Sequence, residues 1–327
     1  MNLLGNIGAQ GIGLTLSVSN ISTLPYSTEP MTKLILHALA LIFIAAPTGT
    51  LAADNNWMAG IAGNTRISQI TIPGTHDSGA RFETVPGTAI CQSATIPEQL
   101  NFGVRFLDIR CRHVHDSFTI HHGPVFQHMT FTGVLNDVAA FLKTNPSETV
   151  ILSVKEEHTA SDNTRSFADT FASHVAANPN IWSHVASVPA LDAVRGKVVL
   201  LRRFAASTPM GIEASHWPDN TAFLANNLSV QDWYQVSDNS SKWTQVAKAL
   251  TSAASDNNAE ILHLNFTSGY KPGPFNIPAI NTVSDAIHPK LTAQLVANPP
   301  GHYGCILLDF ASANLCQLIY LKNRIGK

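Results

Sequence analysis

The sequence predicts an α/β fold built as a (β/α)8 barrel. Three observations lead there. Short apolar, β-rich runs alternate with amphipathic helical patterns along most of the chain. Titratable residues recur just after those apolar runs, as they do where barrel strands converge on one mouth. Neither a GxGxxG nor a P-loop is present, whereas a doubly wound sheet, the competing arrangement, would focus function on one switch point, usually with a Gly-rich loop.

The strand candidates are Ser68–Ile72, Val104–Ile109, Phe118–His121, Thr149–Val154, Lys197–Leu201, Ile261–Asn265 and Cys305–Asp309. Between them, Phe131–Lys143 places Phe131, Val134, Leu135, Val138, Phe141 and Leu142 on one helical stripe. Asn145-Pro146-Ser147 stops that helix, because proline and its predecessor disfavour helical continuation. Arg165–Ala177 and Lys242–Ser255 are the other clear helices. After the strands come, in order, Thr75-His76-Asp77, then Asp108 and Arg110, His121-His122, Lys155 and Glu157, Arg202-Arg203, and Asp309.

Composition narrows the function classes. The chain has 327 residues, 45% hydrophobic and 13% charged, with 20 basic and 22 acidic residues for a net charge of −2. No basic stripe or polybasic tail favours nucleic acid. Low charge with high hydrophobic content argues against disorder. Part of the apolar excess sits in Met31–Ala53, where Lys33 precedes an apolar run from Leu34 to Ala46, a Pro-Thr-Gly break and Thr50-Leu51-Ala52. This pattern reads as a secretory signal peptide over residues 31–52, with an N-terminal anchor helix as the weaker alternative. Residues 1–30 then read as a mis-called N-terminal extension, and 53–327 as one catalytic domain, exported and extracellular. Cys91, Cys111, Cys305 and Cys316 allow two disulfides in an oxidising compartment or, equally, buried thiols.

Two His-containing turns, carboxylates at Asp77, Asp108 and Asp309, and cations at Arg110, Lys155 and Arg203 suit one chemistry. Paired histidines with carboxylate partners serve as general base and general acid near neutral pH. A guanidinium fork matches phosphate oxygens. Together they point to phosphodiester cleavage by a nucleophile within the substrate.

The stretches IPGTHDSG (72–79), FLDIR (106–110), HHGP (121–124) and NPSETVILSVKEE (145–157) resemble the bacterial phosphatidylinositol-specific phospholipases C. The resemblance continues through GKVVLLRRF (196–204), WPDN (217–220), VQDWYQV (230–236), NFTS (265–268) and CILLDF (305–310). It implies an irregular (β/α)8 TIM barrel, a single domain, that cleaves phosphatidylinositol to diacylglycerol and a 1,2-cyclic inositol phosphate. Under it, His76 matches the general base, oriented by Asp309, and His122 the general acid, partnered by Asp77. Arg110 matches the arginine on the phosphate, and Asp108 the acid that positions this cluster. Lys155, Arg203, Asp232 and Tyr234 match the residues around the inositol ring. Arg110 stands where calcium-dependent relatives place calcium ligands, so no metal or other cofactor is expected. The implied partner is phosphatidylinositol in a membrane, met transiently at its surface by a monomer.

Adjacent residues on a strand face opposite ways, so only one of His121 and His122, and one of Arg202 and Arg203, can face the mouth. The resemblance selects His122 and Arg203. Tyr270, Phe275 and Ile277 in the 269–278 loop are candidates for a lipid-facing rim. The 80–93 segment departs from the family in composition, with Phe82, Val85 and Ile90 but no Trp. Two other classes compete: a metal-dependent glycerophosphodiesterase or sphingomyelinase D type, and a barrel that binds phosphoinositide without cleaving it. The first would place Glu and Asp ligands where Arg110 stands. The second has no need of a matched acid and base.

Overall fold

The computed structural model describes residues 55–273 and 278–323. The expected extension and signal peptide, and Phe275 and Ile277, lie outside the described residues. Among the described residues no helix is long and apolar enough to cross a membrane.

The strands are β1 (Ile72–Thr75), β2 (Phe106–Val114), β3 (Ser117–His122), β4 (Val125–Thr130), β5 (Val150–Glu156), β6 (Trp182–Ser183) and β7 (Val198–Arg203). β8 (Ile212–Glu213), β9 (Thr221–Ala225), β10 (Leu228–Asp232), β11 (Leu262–Phe266), β12 (Lys271–Pro272), β13 (Pro278–Ala279) and β14 (Cys305–Leu308) follow. The helices are α1 (Ile96–Asn101), α2 (Phe131–Thr144), α3 (Phe167–Ala177), α4 (Asn239–Ser255), α5 (Asn281–Ala297) and α6 (Ala313–Tyr320).

Strands β8, β7, β5, β2, β1, β14, β11 and β10 run parallel in that spatial order, an irregular barrel. No strand pairing among the described residues joins β8 to β9 or β10. β9 instead folds back on β10 as a hairpin. No α-helix stands between β7 and β10. β1 can be short and straight because Gly74 lets two neighbours close in. A Cβ there would lie 2.9 Å from Phe106 Cβ and 3.3 Å from Leu307 Cγ. α2 buries the stripe Phe131, Val134, Leu135, Val138, Phe141 and Leu142 against the sheet, its start capped by Thr130.

Several expectations need correction. Of Ser68–Ile72, Ser68 and Gln69 end a 3-10 turn at Ile67–Gln69, and the strand begins only at Ile72. Phe118–His121 is not a barrel strand. It belongs to β3, which pairs antiparallel with the far half of β2 and then with β4. His122 is therefore delivered by a hairpin arm that bends over the mouth. The cysteines form no disulfide: all four are reduced and buried.

At the N-terminal end of the barrel, Arg105 and Glu148 form a fully buried ion pair at 2.8 Å. Glu148 also accepts from Met58 N–H and Ser147 Oγ, and Arg105 donates to the carbonyls of Leu100, Val104 and Asn55. Trp57 stacks on Tyr320 beside it, with ring centroids 5.3 Å apart.

Candidate active site

The C-terminal strand ends carry the candidate site. After β1 the chain turns at Asp77 with φ of 39°, a left-handed conformation that Asp tolerates better than most residues. After β14, Phe310 takes φ of 46°, which for a bulky side chain is strained. Its N–H is held by Cys91 O at 2.7 Å. These two turns set the residues they flank. His76 faces a cavity of about 490 Å³ at the mouth, while Asp77 points behind its wall.

His76 Nδ1 is 2.7 Å from Asp309 Oδ1, and Gly269 N–H steadies the other Asp309 oxygen at 3.3 Å. Arg110 Nη2 lies 2.7 Å from His76 Nε2. A guanidinium can only donate, so Nε2 holds the lone pair and Nδ1 the proton. Burial pulls the His76 pKa down, but the charge and hydrogen bond of Asp309, with the charge of Asp108, together outweigh it and the net shift is upward.

Asp108 sits beneath the two arginines, 3.3 Å from Arg110 Nε and 3.4 Å from Arg203 Nη1. Burial opposes its charge, yet the arginines hold it well below the usual carboxylate range. The Arg203 guanidinium lies 3.7 Å from the Trp217 ring centroid, a cation–π contact. Trp217 Nε1 in turn donates to Asp232 Oδ2 at 2.9 Å.

His122 Nδ1 is 3.2 Å from Asp77 Oδ2 and 3.5 Å from Cys91 Sγ. The approach to Asp77 lacks hydrogen-bond alignment, and neither oxygen of that buried carboxyl has a hydrogen-bond partner. Burial accordingly raises Asp77 to about 7. Burial and then Arg110 push His122 down to about 4. Beside His122, Gly123 N–H donates to Glu157 Oε1 at 3.0 Å, and Lys155 Nζ pairs with Glu157 Oε2 at 2.8 Å. Tyr234 O–H donates to Asp219 at 2.7 Å.

Of the residues singled out in the sequence, His76, Arg110, His122, Lys155, Arg203, Asp232, Tyr234 and Asp309 line this one cavity. Asp77 and Asp108 do not. Expected as the partner of His122 and the acid that positions the cluster, both sit behind the wall, because the turn at Asp77 and the inward face of β2 bury their carboxyls. His121 packs against Phe126 at 5.5 Å and stays off the cavity lining. Arg202 points away to Glu213 and to the carbonyls of Phe204 and Met210.

Three residues escaped the sequence reading. Glu157, noted after its strand but given no role, lines the cavity and is held down to about 2: burial opposes its charge, but Arg110 and Lys155 outweigh that. Its spacing of two from Lys155 puts both on one strand face, a signal that was available. Trp217 lies on no regular element. Lys242 is buried under the site, donating to the carbonyls of Trp233 at 2.6 Å and Phe266 at 2.7 Å. Nothing in a helical polar stretch announced its burial.

The family described as phosphatidylinositol-specific phospholipase C, X domain, matches residues 80–204. The 1-phosphatidylinositol phosphodiesterase of Staphylococcus aureus is 29% identical over 280 residues, 79% of this chain and 89% of the relative. That of Listeria monocytogenes is 26% identical over 291 residues, 86% of this chain and 88% of the relative. A solved S. aureus phosphatidylinositol-specific phospholipase C, studied for modulation of its membrane binding, superposes with a TM-score of 0.75. It is 28% identical, covering 83% of this chain and 98% of that one. The L. monocytogenes structure, 23% identical with a TM-score of 0.70, shares the fold.

Proposed function

The chain belongs to the bacterial phosphatidylinositol-specific phospholipases C, and we propose that it cleaves its substrate without a metal, through a 1,2-cyclic inositol phosphate. The observation that carries this reading is the His76–Arg110 contact at 2.7 Å. It puts a basic lone pair and a phosphate-matching cation side by side, facing one cavity.

In the free protein Arg110 donates to His76 Nε2. An arriving phosphodiester draws that guanidinium onto its own oxygens, since charge-assisted contacts are the stronger ones. Nε2 is then exposed to the inositol 2-hydroxyl. As the proton moves to Nε2, the imidazolium is stabilised by Asp309 at Nδ1. The 2-oxygen attacks phosphorus, and the charge gathering on the phosphate oxygens stays against Arg110, itself held by Asp108.

The diacylglycerol oxygen leaves toward His122. Its acid is a pair: Asp77 can hold a proton near neutrality beside His122 Nδ1. As Nε2–H passes to the alkoxide, Nδ1 takes the Asp77 proton, and the pair ends one proton poorer. Lys155, Arg203, Asp232 and Tyr234 supply donors, acceptors and one ring face for the inositol hydroxyls.

Phosphorus NMR of phosphatidylinositol turnover in excess chelator tests this reading. A cyclic phosphate as the first product is the expected result. Inositol monophosphate with no cyclic precursor, or activity restored only by calcium, would overturn it. Export is part of the same proposal, resting on the Met31–Ala53 pattern. N-terminal sequencing of protein from the culture medium should find a start near residue 53.

The mouth also carries a candidate lipid rim beyond the 269–278 loop, of which Phe275 and Ile277 lie outside the described residues. Tyr270 packs inward against Ala80, Cys91 and Ile280. Instead Phe82 and Phe126, 42% and 39% exposed, flank His128 at 4.6 and 5.0 Å.

A further inference from the structure

We propose that Asp77, Cys91 and His122 form a coordination site for a thiophilic divalent cation of the zinc class, and that filling it silences the proton donor. Cys91 has no part in the reaction described above. Its backbone is fixed by Cys91 N–H to Ala80 O at 2.9 Å and Phe310 N–H to Cys91 O at 2.7 Å. Its sulfur is fully buried against His122, whose ring stays partly open to the cavity.

The distances fit an ion. With Zn–S near 2.3 Å and Zn–N or Zn–O near 2.0–2.1 Å, a tetrahedron has S···N edges of about 3.5 Å and N···O edges of about 3.3 Å. The observed separations are 3.5 Å from Cys91 Sγ to His122 Nδ1 and 3.2 Å from His122 Nδ1 to Asp77 Oδ2. The three ligand atoms all lie within 4.8 Å of one another. A sulfur, an imidazole nitrogen and one carboxylate select zinc, cadmium or cobalt over calcium or magnesium, which take oxygen.

The second observation is the orphaned carboxyl. Both Asp77 oxygens are buried without a hydrogen-bond partner, with Arg110 Nε no nearer than 3.7 Å, so the site holds a carboxyl whose coordinating capacity is unused. A neighbouring trio, His76, Cys91 and Asp309, shares the same sulfur. There the carboxylate already engages His76 at 2.7 Å, which makes the Asp77 trio the better site.

On binding, the Cys91 thiol and the Asp77 carboxyl each give up their proton to solvent, and the sulfur and a carboxylate oxygen bond the ion. His122 binds through the Nδ1 lone pair. An imidazole with Nδ1 on a cation can neither accept the Asp77 proton nor become an imidazolium, so the leaving group loses its acid. This loss of activity rests on His122 as proton donor. The coordination itself does not.

Cobalt titration of the intact protein separates the two. A thiolate-to-cobalt charge-transfer band should grow in the near ultraviolet and be displaced by zinc. It should vanish in Cys91→Ser and Cys91→Ala, each checked by circular dichroism, and persist in Cys316→Ser. Half-inhibition of phosphatidylinositol cleavage by zinc should need at least roughly tenfold more ion in the Cys91 variants. No band in the parent protein, or an unchanged band in both Cys91 variants, would overturn the site. A Cys91-dependent band with cleavage untouched by zinc would uphold the site and overturn His122 as the donor.

Discussion

At the N-terminal end of the barrel Arg105 and Glu148 are buried and satisfied; at the C-terminal end Asp77 is just as buried and is not. Below, each oxygen of Glu148 has a donor, and the guanidinium of Arg105 is surrounded by carbonyls. Above, Asp77 Oδ1 and Oδ2 and Arg203 Nε lack hydrogen-bond partners, and Asp108 is divided between two arginines. The lower end is closed on itself. The upper end keeps polar capacity unspent, which a charged substrate can take up. Stability and chemistry are thus divided between the two ends of the same strands.

The division is most exposed at the lower end. Glu148→Ala leaves Arg105 buried without its carboxylate and should cost about 3–5 kcal/mol of stability. Urea denaturation measures it, and kcat per folded molecule should stay near the parent value. A comparable loss of kcat would mean the lower pair also shapes the mouth. Arg110→Ala should do the converse. It removes the cation facing the phosphate and should lower kcat by roughly 10²–10³-fold, with a smaller shift in the urea midpoint than Glu148→Ala. Equal midpoint shifts would end the division of labour.

Much of this was legible because barrel strands obey a simple rule. Apolar runs buried on both faces give way to polar residues where they reach the mouth, so His76, Arg110, Lys155, Arg203 and Asp309 announced themselves. The stripe on α2 was equally plain, since the same six residues that repeat at helical spacing are the ones buried. What failed to show had physical reasons. α5 carries Pro289 inside it, which breaks the pattern that marks a helix. β3 has strand composition but pairs antiparallel, and composition says nothing of direction. The β9–β10 hairpin was signalled by Asn226-Asn227, both at positive φ as a type I′ turn requires, between alternating residues. Asp77 and Asp108 were placed at the mouth because their neighbours are there. Which side of the wall a carboxyl takes depends on one left-handed turn.

Lys242 offers a test within the upper half. Burial lowers its pKa to about 7, opposed by Asp232 and Asp309. The unfolded chain, with an ordinary lysine, binds more protons than the native state between about pH 7 and 10.5. Stability from this group is therefore present above pH 10.5 and lost as pH falls toward 7. The slope reaches at most about 1.4 kcal/mol per pH unit. Lys242→Met should flatten the rise in the urea midpoint between pH 7.5 and 9.5. A slope that survives the substitution would assign it to other groups and leave Lys242 charged and paired.

The smallest expected effect concerns the surfaces of the two ends. Below, the large aromatics Trp57 and Tyr320 are buried and stacked on each other. Above, Phe82 and Phe126 remain exposed beside the cavity. An exposed apolar pair costs nothing to keep if a lipid surface covers it during turnover. Burying a few tens of Å² per ring at about 25 cal/mol per Å² gives roughly tenfold in vesicle affinity for the pair. Phe82→Ser with Phe126→Ser should weaken binding to phosphatidylinositol-containing vesicles by that factor in a sedimentation assay. Cleavage of a water-soluble inositol phosphodiester should be unchanged, because neither ring lines the cavity. Equal loss on both substrates would mean that the rings support the His122 hairpin instead, through the contact of Phe126 with His121. The upper end would then owe its exposed aromatics to the hairpin's own packing.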